Sequence, residues 1–157
     1  MIAIKPSLQT TTIYTIGYEG VSIEKFIRKL QSEKIECLID VRCNPLSRKP
    51  GFSKKSLSEH LQSAGIEYRH IPQLGIPSSM RQSLNTKEDY IRLFDRYENE
   101  ILPVAEEQKE ELIKLLSRKR AVLVCFEADP ICCHRTRLSN VISSETGYSQ
   151  KHLHFAD

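Results

Sequence analysis

The chain has no apolar run approaching the roughly 20 residues that a membrane-spanning helix needs. Its first residues, MIAIKPSLQTTTIYTIG, lack the basic segment and long apolar stretch of a secretory signal. No internal repeat, low-complexity tract or clear linker is visible. There is no GxGxxG and no P-loop lysine motif, and Gly17-x-x-Gly20 alone is a weak nucleotide signal. There is no CxxC, the usual spacing of a zinc knuckle. Net charge is small, +3 over 157 residues. That allows an anionic ligand without demanding nucleic acid. The expectation is a cytoplasmic, non-membrane protein folded as one domain over 1–157, with 1–10 a loose lead-in.

Five cysteines are present, at 37, 43, 125, 132 and 133. The number is odd and two are adjacent, so free thiols in a reducing compartment are expected rather than a disulfide framework.

Period and punctuation place the elements. Thr11 to Ile16 reads as a first strand, ending at Gly17-Tyr18-Glu19-Gly20. Ser22 caps a helix to about Gln31, with Ile23, Phe26, Ile27 and Leu30 on one face. Glu36 to Val41 is a compact apolar strand, and Ser53 opens a helix to about Ala64 with Gly65 behind it. Ile66 to Ile71 is a third strand. Asn85 and Glu88 suggest a capping box before a helical stretch to about Leu116, interrupted near Pro103. A strand at 121–126, a helix from 130 to about 145 and a short strand near His152 to Phe155 complete the chain. This alternation predicts an α/β fold: a mostly parallel sheet of about four or five strands with helices on both faces.

Chemistry concentrates in AVLVCFEADPICCHRTRL, residues 121–138. Asp129-Pro130 reads as a helix cap and first turn, which places Cys132, Cys133, His134 and Arg135 at a helix N-terminus, where anions and thiolates are favoured. Ligands of parallel α/β sheets bind beyond the carboxyl ends of the strands. Tyr18, Asp40 with Arg42, and Cys125 with Glu127 all lie at predicted strand ends. Arg42, Arg48 and Arg135 are therefore candidates to clamp a phosphate or carboxylate, with Tyr18 and Asp40 beside them. Glu127 is the candidate acid/base, Cys133 a candidate nucleophile and His134 an orienting or relay group.

Each has a plainer reading. Cys125 can be a small buried hydrophobe, His134 a hydrogen-bonded core histidine and Asp40 a partner that fixes Arg42. The basic loop from Arg48 to Lys55 can be a solvated turn. LIDVR resembles a strand-end motif of rhodanese domains, but Cys125 is followed by FEADPI. The first arginine comes at 135, too late for a rhodanese or Cys-x5-Arg phosphatase loop.

The strings TIGYEG, LIDVRCNPLSRKPGFSK, GIEYRHIPQLG and CFEADPICCHR occur in that order, with Phe26, Leu30, Leu57 and Leu61 between them. Over about residues 12–155 the chain resembles the prokaryotic family known as domain of unknown function 488. The resemblance implies a compact α/β protein without an assigned activity. It places hallmark positions on Asp40, Arg42, Arg48, Cys125, Glu127, Cys133, His134 and Arg135. Ile76-Pro77, after Leu74-Gly75, departs from the glycine expected there.

Three functions remain open: an enzyme acting on an anionic, phosphate-bearing substrate such as a nucleotide or nucleic acid; a non-catalytic nucleic-acid-binding or regulatory module, suggested by the basic loop; and a metal-binding protein, suggested by Cys125, Cys132, Cys133 and His134. The sequence names no cofactor, no metal ligand set and no oligomeric state.

Overall fold

A computed structural model describes residues 11–156; the expected lead-in at 1–10 lies outside them. Five parallel strands form one sheet: β1 (Thr12–Gly17), β2 (Cys37–Asp40), β3 (Glu67–His70), β4 (Ala121–Cys125) and β5 (Ser149–His152). Their order is β3-β2-β4-β1-β5. Five helices accompany them: α1 (Ile23–Ser32), α2 (Lys54–Ser63), α3 (Lys87–Arg96), α4 (Glu106–Arg118) and α5 (His134–Thr146). The α/β architecture is the one the alternation implies. Among the described residues, no helix is long and apolar enough to cross a membrane.

The alternation of side chains along each strand assigns the layers. Tyr14, Ile16, Leu38, Val122 and Val124 face α1 and α2, packing on Phe26, Leu30, Leu57 and Leu61. Ile13, Ile39, Ala121 and Leu123 face α3, α4 and α5, packing on Leu93, Phe94, Leu112, Leu138 and Ile142. The chain moves outward from β1 through β2 to β3, then returns to β4. With right-handed crossovers this reversal puts the two sets of helices on opposite faces. Register aligns the ends: Gly17 pairs with Cys125 and Asp40 with Val124. The segments after β1, β2 and β4 therefore leave the sheet at one edge.

Helix starts follow local chemistry. Ser22 Oγ accepts from Lys25 N at 3.2 Å. The capping box of α3 falls one residue beyond the Asn85/Glu88 expectation. Thr86 Oγ1 accepts from Asp89 N at 3.1 Å, and Asp89 Oδ2 accepts from Thr86 N at 3.0 Å and Asn85 N at 2.9 Å. The interruption near Pro103 is a wide turn followed by a tight one over residues 97–105.

The expected helix from 130 needs correction. Asp129 Oδ1 accepts from Ile131 N at 3.0 Å and closes only a single tight turn, Pro130–Cys132. Cys133 is then extended, at φ −140° and ψ 142°, and itself caps α5. Cys132 is exposed and outside the helix.

Candidate functional site

At the end of β2, Asp40 is fully buried and paired with Arg42. Arg42 Nε donates to Asp40 Oδ1 at 2.8 Å and Nη2 to Oδ2 at 2.7 Å, a bidentate fork. Arg42 Nη1 donates to Tyr18 Oη at 2.9 Å and to the Phe52 carbonyl at 2.8 Å. Four of the five guanidinium N–H groups are thus engaged, leaving one free. Tyr68 Oη donates to Asp40 Oδ2 at 2.6 Å. Burial alone would lower the Arg42 pKa, but Asp40 outweighs it and the net shift is upward. Burial, reinforced by Asp40, pushes the Tyr68 phenol up. Tyr18 stacks on Phe52 with ring centroids 4.4 Å apart, which holds the loop after β2 against the end of β1.

The ends of β1 and β4 are joined through backbone. Tyr18 N and Glu19 N both donate to the Phe126 carbonyl, at 3.1 and 2.8 Å. A Cβ on Gly17 would lie 1.8 Å from the Glu127 carbonyl oxygen, so this approach admits glycine alone. Similarly, a Cβ on Gly75 would lie 2.2 Å from Cys43 N. That contact draws the segment after β3 onto the loop after β2.

Arg135 is fully buried and turns into the β4–α5 loop. Its Nη1 donates to the Glu127 carbonyl at 2.5 Å and contacts Cys125 Sγ at 3.3 Å; Nη2 donates to the Ala128 carbonyl at 3.4 Å. Among the described residues its Nε has no partner. Burial pulls the guanidinium down to about 10. Arg135 thus shapes the loop and does not line the pocket described below.

Cys125 and Cys133 are joined as a disulfide, with Cα atoms 7.2 Å apart. This corrects the expectation of five free thiols: Cys37, Cys43 and Cys132 are free. The extended cap residue lays Cys133 over the end of β4, a proximity that a separation of eight residues does not reveal. His134 Nε2 bonds the Val41 carbonyl at 2.9 Å. A carbonyl can only accept, so Nε2 carries the proton and, in the neutral ring, Nδ1 keeps its lone pair. Burial holds His134 neutral, with its pKa pulled down to about 4. Nδ1 faces Cys133 Sγ at 4.0 Å.

These segments enclose a polar pocket of about 200 Å³ at the strand ends. Tyr18, Arg42, Cys125, Glu127 and His134 line it, together with Cys43, Asn44, Leu46, Ile76, Ser78, Arg81 and Phe126. The candidates Tyr18, Arg42, Glu127 and His134 therefore converge, with Asp40 behind Arg42. Arg48 is exposed and not part of the lining, and Cys133 faces a neighbouring, mostly apolar cavity. Burial raises the Glu127 carboxyl.

Arg81 went unnoticed in the sequence, because it stands in an irregular stretch with no period or motif. The one available signal was Gly75, whose close contact with Cys43 carries that stretch to the site.

The family model described as Domain of unknown function DUF488 matches residues 22–142, well over half of the chain. The protein belongs to this family. The DUF488 match runs from the cap of α1 into α5 and includes Asp40, Arg42, Glu127 and the Cys125–Cys133 pair. It starts after Tyr18, so that wall of the pocket lies outside the matched residues. No curated protein and no solved structure matches the chain.

Proposed function

We propose that this DUF488 protein is an enzyme acting on an anionic, phosphate-bearing substrate held in the strand-end pocket. The observation that carries the reading is Arg81. It lines the pocket and, among the described residues, takes part in no ion pair. A guanidinium left over at a concave strand-end site is suited to an oxyanion. Arg42 lines the same cavity and keeps one guanidinium N–H unengaged. At about 200 Å³ the pocket is smaller than the roughly 300–1,000 Å³ of drug-sized sites. It fits a phosphoryl group or the phosphate end of a nucleotide, with the rest of the substrate reaching past Leu46 and Phe126 at the rim.

Glu127 is the group that exchanges a proton with the bound substrate. Arg135 and Asp40 are positioning residues: one holds the Glu127 loop and the other holds Arg42. His134 supports the wall through Val41.

The test begins with inorganic phosphate titrated at low salt and followed by NMR. Binding is expected in the wild type and should weaken at least tenfold in Arg81→Gln. Turnover of a panel of phosphate monoesters and nucleotides should then fall about 10²–10⁴-fold in Glu127→Gln. Phosphate that fails to bind, or binds Arg81→Gln equally well, would refute the anion site. Binding without turnover on any member of the panel would favour a non-catalytic module.

A further inference from the structure

Cys125, Cys133 and His134 bring three donor atoms within 4.8 Å of one another in a buried position. We infer that in the reduced protein these residues form a binding site for a zinc-class divalent cation, and that the disulfide is its oxidised, metal-free state.

Three features of the surroundings support a ligand set rather than a packing cluster. The first is the tautomer of His134. With Nε2–H committed to the Val41 carbonyl at 2.9 Å, Nδ1 presents its lone pair to the sulfurs. A backbone carbonyl orienting the far nitrogen is the usual outer-shell arrangement of a metal-bound histidine. The second is hydrogen bonding to sulfur: Arg135 N donates to Cys133 Sγ at 3.5 Å and Arg135 Nη1 to Cys125 Sγ at 3.3 Å. Such donors stabilise thiolates and offset the charge that two of them bring. The third is the span of the backbone. The Cα atoms stand 7.2 Å apart, wider than the roughly 4.4–6.8 Å of most disulfides. With the bond reduced, a span this wide lets the two sulfurs part to ligate a cation.

Two thiolates and an imidazole are a set suited to zinc, and three protein ligands leave a fourth position open. Cys125 and His134 both line the strand-end pocket, and Glu127 Oε1 lies 3.6 Å from Cys125 Sγ. The open position therefore faces that pocket, where water, Glu127 or a substrate oxygen can enter.

The chemistry balances in two steps. A thiol reductant breaks the Cys125–Cys133 bond, two electrons and two protons converting it to two thiols while the reductant becomes a disulfide. The cation then displaces two protons, one from each thiol, and takes the neutral imidazole as it stands. The inference does not depend on the phosphate reading, since it uses neither Arg42 nor Arg81.

The experiment uses the full chain, reduced with a phosphine under anaerobic conditions and titrated with Co²⁺. One equivalent should bind, with intense visible bands of a tetrahedral ion and sulfur-to-cobalt charge transfer in the near ultraviolet; Zn²⁺ should abolish both. Cys132→Ser and Arg81→Gln should leave the spectrum unchanged. Cys125→Ser, Cys133→Ser and His134→Ala should each weaken binding by more than the 10–100-fold that loss of an outer-shell group causes. Should a variant fail to fold by circular dichroism, the wild type oxidised with diamide serves instead. It should show three free thiols, bind no cobalt, and regain binding on reduction. Reduced, folded protein with five titrating thiols and no bound cobalt would overturn the inference. So would cobalt binding that survives oxidation of the pair or loss of Cys133.

Discussion

Asp40 and Arg42 show how much a single ion pair can hold in place. The exposures of their side chains are 0% and 8%, so neither charge is appreciably screened by solvent. Through Arg42 the pair reaches Tyr18 at β1 and Phe52 in the following loop, and through Asp40 it reaches Tyr68 on β3. Removing one partner of such a pair strands the other charge, which costs about 3–5 kcal/mol. Asp40→Asn should lower unfolding stability by about that amount in urea. Part of the loss should appear as a looser Tyr18, visible as increased exposure of its ring. Residue identity made Asp40 and Arg42 conspicuous in the sequence, since an acid and an arginine at the end of an apolar strand need partners. Those partners, Tyr18, Phe52 and Tyr68, come from three other segments and could not be read from local pattern.

Helix starts and close approaches decide matters at the scale of elements. Asp89 accepts two backbone N–H groups at the start of α3, and these bonds hold its carboxyl at about 2, below its ordinary 3.8. The folded pKa lies below the unfolded one. Its contribution is therefore fully present above about pH 4 and is lost as pH falls towards 2. The urea midpoint of the wild type should drop across that window. Asp89→Asn should show a flatter profile there and a lower midpoint at neutral pH. The first four strands and most helices were legible from apolar period, but the last strand, expected near His152 to Phe155, is Ser149–His152, a polar run at the sheet edge that carries no such period. The caps were less so: Thr86/Asp89 and Asn85/Glu88 offer the same residue types one position apart. At Asp129-Pro130 the cap chemistry is real but serves only one turn, because Cys133 extends before the helix begins. Close approach is sharper still. Gly17→Ala would drive a methyl into the Glu127 carbonyl, and such overpacking costs about 1–3 kcal/mol or more. A matching loss in thermal unfolding is expected, whereas Gly20→Ser, with nothing within 4 Å of the added carbon, should show only the smaller penalty of its φ of +81°.

For the whole molecule, strand order matters more than strand identity. β4 inserts between β2 and β1, and that insertion brings residues 125–127 out of the sheet between the ends of the strands that precede Arg42 and Tyr18. Alternation predicts parallel strands and their carboxyl-end site, but not which strands are neighbours. Convergence of Tyr18, Arg42, Glu127 and His134 was therefore readable as a class of arrangement. Arg81 and the bonding of Cys125 to Cys133 were not, because each depends on a loop path through space.

Gly17 and Gly75 lie where main chain meets main chain, so the frame that carries the pocket residues admits no added side chain at these two points. Variation in this frame is thereby channelled to the rim, where Asn44, Leu46, Ser78 and Phe126 can change without moving the backbone beneath them. A lineage descended from such a protein, or a laboratory library built on it, would diversify its preferences at those four positions and inherit the two glycines unchanged.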